Sequence, residues 1–277
     1  MSNAPLLQIE DLDVSYGRGK HQNTPVRDVT FEVASGQSVG LVGESGSGKS
    51  SVGRAILGLA RASKGRMVFD GQDITSIGRR ERQRLSSELQ VVFQDPRSSL
   101  NEAKRIRDIL TEPLIVNRRM TRAQARDRAA ELLDEVGLGA AAMDKLPGAF
   151  SGGQRQRIAI ARALMASPRL IICDEPVSAL DLSVQAQIIN LFRREQRKTG
   201  VAYLFIAHDL SVVRLVSQHV LVMSKGRVVE QGPTEAVYTN PQDPYTQRLL
   251  AAEPDPDPRV QRERRAAWIA LAEKQAS

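Results

Sequence analysis

Ser38-Val39-Gly40-Leu41-Val42 runs straight into Gly43-Glu44-Ser45-Gly46-Ser47-Gly48-Lys49-Ser50. The first five residues are a short apolar run of the kind that makes a buried strand, and residues 49–59 read as the helix that follows. The turn between them carries the P-loop spacing, glycine, any four residues, then Gly-Lys-Ser, in the strand–turn–helix setting that the pattern requires. Glycines let successive backbone N–H groups turn inward around phosphate oxygens, and the following helix points its positive end at the same charge. Lys49 is placed to reach the β and γ phosphates, and the Ser50 hydroxyl to ligate Mg²⁺. Gly43, Ser45, Gly46, Ser47, Gly48, Lys49, Ser50 and Ser51 are therefore the expected nucleotide-binding residues, with ATP and Mg²⁺ as the expected ligands.

Upstream of this turn the pattern is that of strands. Leu7, Ile9, Leu12 and Val14 lead to Tyr16, and Val29, Phe31 and Val33 alternate as a half-buried strand does. Ser35-Gly36-Gln37 is a turn signal, and Met67-Val68-Phe69 ends in the tight-turn pair Asp70-Gly71. From about residue 96 to 149 the period becomes helical. Thr121-Arg122-Ala123-Gln124 forms a capping box, Ala125, Ala129, Leu132, Leu133 and Val136 share one face, and Gly137 supplies a stop. Strands and helices then alternate again. Leu170-Ile171-Ile172-Cys173 and residues 201–206 are continuous apolar runs, as in buried parallel strands. Residues 219–223 and 227–230 flank Lys225-Gly226 as a hairpin. Pro254, Pro256 and Pro258 predict an extended tail with a short basic helix after it, and no internal repeat is present. The expected fold is α/β: a P-loop NTPase core with an N-terminal antiparallel β subdomain and an inserted α-helical subdomain. The expected boundaries are 1–95 and 160–238 for the RecA-like and β nucleotide-binding core, 96–159 for the helical subdomain, and 239–277 for a C-terminal extension.

The bulk composition narrows the setting. The 277 residues are 41% hydrophobic and 26% charged, an ordinary globular composition. No stretch approaches the ~18–20 uncharged apolar residues of a membrane-spanning helix. The first ten residues lack a basic region followed by an apolar core, so a cytoplasmic protein that reaches any membrane through a partner is expected. The single cysteine, Cys173, excludes an internal disulfide or a cysteine cluster and sits in an apolar run, as a core residue would. The net charge of +7 is dispersed. Its local runs, residues 79–84 and 259–265, are interleaved with Glu or Gln and read as solvated helix faces, so nucleic acid is not expected as a partner.

Two further segments carry chemistry. The apolar run ending at Cys173 is followed by Asp174 and Glu175. Asp174 is suited to hold Mg²⁺ through water and Glu175 to polarise an attacking water as general base; the alternative is a strand end with two exposed acids. Ser151-Gly152-Gly153-Gln154 precedes a helix containing Ile158, Ala161 and Leu164, which makes a second anion-binding device. Its alternative is a helix cap with flexible glycines.

Together these residues resemble the ATP-binding cassette family. Ser151, Gly152, Gly153 and Gln154 resemble its signature motif, with Phe150 where leucine is commoner. Gln94, after Val91-Val92-Phe93, is similar to the Q-loop glutamine, which senses Mg²⁺ and the attacking water. Ser178-Ala179-Leu180-Asp181 resembles the D-loop, His208 the switch histidine that contacts the γ phosphate, and Tyr16 the aromatic that stacks on adenine. The resemblance covers residues 6–237 and implies that the signature of one subunit caps the nucleotide held by the P-loop of a second. A narrower resemblance, to the dipeptide, oligopeptide and nickel importer ATPases, rests on Phe93-Gln94-Asp95-Pro96-Arg97-Ser98-Ser99-Leu100-Asn101 and Asn240-Pro241-Gln242-Asp243-Pro244-Tyr245-Thr246. Glu102 stands where that group usually has proline, and the C-terminal cysteine cluster of some members is missing. The group implies a second ATPase subunit, identical or related, two transmembrane permease subunits, an extracytoplasmic solute-binding protein, and a position on the inner face of the cell membrane through the permeases. Cassette ATPases of soluble phosphonate-processing complexes, exporters and nucleic-acid-associated relatives remain as alternatives at this point.

Overall fold

A computed structural model describes residues 4–17, 22–96, 99–116, 120–178 and 180–252. In chain order the elements are β1 (Leu7–Tyr16), β2 (Asn23–Val33), β3 (Ser38–Val42), α1 (Lys49–Ile56), β4 (Ala62–Phe69), β5 (Gln72–Asp73), α2 (Arg79–Leu85), β6 (Leu89–Val92), α3 (Ile106–Val116) and α4 (Arg122–Glu135). They continue with α5 (Gly152–Leu164), β7 (Leu170–Asp174), α6 (Leu182–Thr199), β8 (Ala202–Ala207), α7 (Leu210–Val216), β9 (His219–Ser224), β10 (Arg227–Pro233), α8 (Thr234–Thr239) and α9 (Pro244–Ala252). The proline-bearing tail and its basic segment, like residues 259–265, lie outside the described residues.

The described residues form two compact units, one drawn from residues 6–32, 38–76 and 206–252 and the other from residues 4–5, 33–37 and 77–205. The first unit carries a four-stranded sheet in the order β2-β1-β4-β5, with β1–β4 and β4–β5 antiparallel, as the N-terminal alternation predicts. The alternation itself contains a defect that the structure explains. Leu7 and Ile9 are odd-numbered and Leu12 and Val14 even-numbered, yet all four are buried. A bulge between Glu10 and Asp13 shifts the register, with Asp11 at φ 47° and its N–H on Thr30 Oγ1 at 2.9 Å. Gly65 faces the bulge: a Cβ there would sit 2.4 Å from the carbonyl oxygens of Glu10 and Asp11. The same unit holds the strand run β10-β9-β3, with β3–β9 parallel and β9–β10 the expected hairpin turning at Lys225-Gly226.

The second unit holds the strand run β8-β7-β6, with β6–β7 parallel, together with the helical segment. In α4, Thr121 Oγ1 accepts from Gln124 N–H at 3.3 Å and Gln124 Oε1 accepts from Thr121 N–H at 3.0 Å, closing the anticipated capping box. Ala125, Ala129, Leu132 and Leu133 are fully buried on one face, and Gly137 takes the left-handed φ of 73° that ends the turn. The basic run at residues 79–84 forms the largely exposed face of α2. Cys173 is buried in β7.

One element departs from the sequence reading, and one buried charge is new. The helix after the P-loop stops at Ile56 rather than at residue 59, because Gly58 adopts a left-handed φ of 72° and Leu59 N–H turns back to the Arg54 carbonyl. On α6, Glu195 lies in a charged run yet is fully buried, and neither of its carboxylate oxygens has a hydrogen-bond partner among the described residues. Burial, and then the neighbouring Glu135 carboxylate, raises its pKa above the ordinary glutamate value. A folded-state pKa raised in this way makes stability fall as pH climbs from about 4.3, the ordinary value, through the raised one. Glu195→Gln should therefore melt above the wild type at pH 8, by about 2–4 °C for each kcal/mol recovered. The gap should close by about pH 3, where the carboxyl is protonated in both the folded and the unfolded state. Thermal unfolding followed across that range checks it, and a gap independent of pH would exclude the carboxylate as its source.

Candidate active site

The P-loop is built where β3, buried along its whole length, meets α1. Its glycines answer to identifiable contacts. A Cβ at Gly43 would sit 2.2 Å from the Met223 carbonyl oxygen, and one at Gly48 2.2 Å from that of Pro25. Gly48 also needs its left-handed φ of 106° as the residue that caps α1. The hairpin turn buttresses the loop from behind: Gly226 N–H donates to the Ser47 carbonyl at 3.0 Å and Arg27 N–H to the Gly226 carbonyl at 2.8 Å. Sequence reading recognised Lys225-Gly226 as a turn but carried no signal for this contact.

Lys49 is 5% exposed. Its Nζ donates to the carbonyls of Gly43 at 2.7 Å and Glu44 at 2.8 Å and lies 3.4 Å from Ser47 Oγ, so the ammonium sits across the loop. Ser45 and Gly46 are exposed, Ser50 is half-buried, and a Cβ at Gly46 would meet nothing within 4 Å. Tyr16, 38% exposed at the end of β1, donates its hydroxyl to Ser51 Oγ at 3.4 Å, which sets an aromatic ring beside the start of α1. His208 belongs to the same unit and is exposed directly after β8. The donor set of this loop is one cation, a hydroxyl and the amides at a helix N-terminus. That set fits a polyphosphate and supplies one hard oxygen ligand for Mg²⁺.

The other predicted residues lie in the second unit. Asp174 ends β7, and Glu175 takes a left-handed φ of 50°, a conformation that costs a non-glycine residue of order 1–3 kcal/mol and recurs at functional positions. Gln94 Nε2 donates to Glu175 Oε2 at 3.0 Å and lies 3.4 Å from Ser178 Oγ, while Ser178 Oγ donates to the Glu175 carbonyl at 3.2 Å. The structure thus brings together Gln94, Glu175 and Ser178 around one carboxylate. Asp181 caps α6, accepting from Val184 N–H at 3.0 Å and Ser183 Oγ at 2.9 Å, and the Val184 amide holds its carboxyl below the usual range.

Ser151 caps α5 in a reciprocal box with Gln154: Ser151 Oγ accepts from Gln154 N–H at 3.3 Å and Gln154 Oε1 from Ser151 N–H at 3.0 Å. Arg155 braces the turn before it, donating from Nε to the carbonyls of Pro147 and Phe150, each at 3.0 Å. Glu102, where proline is commoner, lies 3.6 Å from the same guanidinium. Gly153 is half-buried against Val184, whereas Gly152 is exposed and an added Cβ would meet nothing within 4 Å. The cap reading of this segment is therefore correct as local structure. It accounts for Ser151 and Gln154.

A buried strand feeding a glycine-rich turn whose lysine lies across its mouth defines a P-loop nucleotide-binding protein. A family model described as "ABC transporter" matches residues 26–178, and one described as "Oligopeptide/dipeptide transporter, C-terminal region" matches residues 229–275. The chain belongs to the ATP-binding cassette transporter family. It is 45% identical, over 94% of its length and 85% of the relative's, to the oligopeptide transport ATP-binding protein OppF of Streptococcus pyogenes. It is 44% identical to the dipeptide transport ATP-binding protein DppF of Lactococcus lactis, over 94% and 84% of the two chains. Among solved structures it is similar to a dimeric post-hydrolysis state of the ATP-binding cassette MJ0796 bound to ADP and phosphate, with a TM-score of 0.76, 26% identity and coverage of 82% and 98%. Among the described residues no helix is long and apolar enough to cross a membrane.

Proposed function

We propose that this chain is the ATP-hydrolysing subunit of a peptide importer and that it works as one half of an ATPase pair. The observation that carries the substrate class is the match of residues 229–275 to the oligopeptide/dipeptide transporter C-terminal region, joined to relatives named for oligopeptide and dipeptide transport. The permease subunits and the extracytoplasmic binding protein follow from that reading, as does a position at the inner face of the membrane. So does the division of the chain into a core of 1–95 and 160–238, a helical subdomain of 96–159 and an extension from 239.

The residue roles follow from local chemistry. The amides of the P-loop and Lys49 hold the β and γ phosphates, and the Tyr16 ring stacks on the base. Mg²⁺, when bound, neutralises charge on the phosphate oxygens, and Ser50, Gln94 and Asp174 are the residues that would hold it. Glu175 accepts a proton from the attacking water as its oxygen bonds to the γ phosphorus and ADP departs. Gln94 keeps the Glu175 carboxylate turned to that task. His208 donates to the γ phosphate. Ser151, Gly152, Gly153 and Gln154, with Asp181, meet the nucleotide of the partner subunit. The open space around Gly152 supports this arrangement, because no described residue would meet a side chain there. Each γ phosphate then gains contacts only on closure, and that differential affinity drives closure until hydrolysis removes it.

Co-purification from the native membrane tests the reading. Two multispanning membrane proteins should accompany the chain, and ATPase activity of the complex should rise when a peptide-loaded binding protein is added. Recovery with a soluble enzyme complex or with nucleic acid would overturn it.

A further inference from the structure

The second residue of the P-loop is held from outside the loop. Glu44 N–H donates to the Tyr245 hydroxyl oxygen at 2.9 Å, while the Glu44 carbonyl accepts from Lys49 Nζ at 2.8 Å. Tyr245 is the second residue of α9, and its setting is unusually well determined. The Glu230 carboxylate on β10 accepts from the N–H groups of Gln242 at 2.8 Å and Asp243 at 3.0 Å, and Asp243 Oδ1 accepts from Tyr245 N–H at 2.7 Å. Gln247 Nε2 closes the turn on the Pro241 carbonyl at 3.0 Å. Thr246 is fully buried, and Leu250 belongs to the same apolar cluster as Val42, the last residue of the strand that feeds the loop. The Tyr245 ring packs against that cluster. Its position is thus fixed by β10 and by the core beneath β3, and only its hydroxyl reaches the loop. Partial burial raises the phenol pKa, so the group stays neutral at physiological pH.

We propose that Tyr245 is a positioning residue for the phosphate-binding loop: its hydroxyl anchors the Glu44 amide, and through it α9 sets the loop geometry that ATP meets. The inference rests on the P-loop reading above and extends it to the C-terminal extension. It gives residues 229–275, matched as a transporter C-terminal region, a direct contact with the nucleotide loop. Two of the groups flanking the Glu44 side chain, its N–H and its C=O, are tied to different parts of the fold. Without the Tyr245 tie the Glu44 backbone keeps its bond from Lys49 Nζ but loses its anchor to α9.

Tyr245→Phe keeps the ring and its packing and removes only the hydroxyl. The dissociation constant of a fluorescent ATP analogue should rise about fivefold, as expected for one lost hydrogen bond to an ordered loop. KM for ATP should rise with it, while kcat at saturating ATP stays within about twofold, since no group that touches the reacting atoms changes. A variant with unchanged ATP affinity and KM overturns the proposal, even if its melting temperature falls, because the hydroxyl would then serve α9 alone. The wild-type protein gives an independent measure. The Glu44 amide belongs to an exposed residue, yet its bond to the Tyr245 hydroxyl should slow its hydrogen exchange well below the free-peptide rate, and exchange at the free-peptide rate also overturns the proposal. If the wild type itself fails to bind the ATP analogue, the P-loop reading falls, and the inference with it.

Discussion

Glu175→Gln should abolish turnover and leave an ATP-bound dimer that outlasts gel filtration. The substitution is close to isosteric, and the surroundings of Glu175 favour a clean result. Gln94 Nε2 donates to Glu175 Oε2 at 3.0 Å, and an amide oxygen accepts the same bond. The left-handed backbone at this residue, φ 50°, is no harder for glutamine than for glutamate. The remaining change is the loss of a group able to take a proton from water. General-base removal of this kind costs about 10²–10⁴ in rate. Binding affinity for ATP should stay near the wild-type value, because no phosphate ligand is altered. Phosphate release and light scattering in the presence of ATP and Mg²⁺ measure the two effects together. Near-normal hydrolysis would remove Glu175 as the base.

Lys49→Ala should have the broader effect, losing nucleotide binding as well as turnover. The ammonium is 5% exposed and bonded to the carbonyls of Gly43 and Glu44. Truncation deletes the one lysine of the loop and also takes the Lys49 donor from the buried Gly43 carbonyl, while the Glu44 carbonyl keeps only the Ser47 N–H at 3.2 Å. An unsatisfied buried polar group costs of order 1–3 kcal/mol, so the loop should loosen even before ATP is added. Equilibrium binding with a fluorescent ATP analogue should show at least a hundredfold loss, about 2.8 kcal/mol at about 1.4 kcal/mol per decade. A variant that retained both binding and turnover would sink the P-loop reading. The two substitutions also separate the steps, since Glu175→Gln spares binding and Lys49→Ala does not.

Features encoded within a few residues of one another were legible in the sequence. The box at Thr121 and Gln124, the stop at Gly137, the hairpin at Lys225-Gly226 and the loop itself are all of this kind, because cap and turn chemistry is local. The antiparallel sheet was legible as alternation. Its bulge at Asp11 was visible only as a change of phase between Ile9 and Leu12, and became intelligible through Gly65 on the partner strand. Residues that act across the fold left no local trace. Tyr245 read as part of a family resemblance, yet its contact is with Glu44, at the other end of the chain. Glu195 sits among Arg193, Arg194, Arg197 and Lys198, and such a run reads as solvated until the packing of α6 is known. Ser151 and Gln154 illustrate a different limit. The same two residues serve as a helix cap and as the expected contact with a partner's nucleotide, so sequence chemistry could propose both uses without choosing between them.

Cys173 is the chain's single cysteine, fully buried in β7, and burial pushes its thiol well above the usual pKa. Thiol reagents act on the exposed thiolate, so the native protein should present them with almost no target. The molecule is therefore a ready background for spectroscopic labelling. A cysteine placed at Arg80, on the exposed face of α2 and outside the residues assigned to the nucleotide, would carry a spin label or fluorophore alone. Distances between two such labels would report the opening and closing of the ATPase pair in real time, with no native residue to remove first.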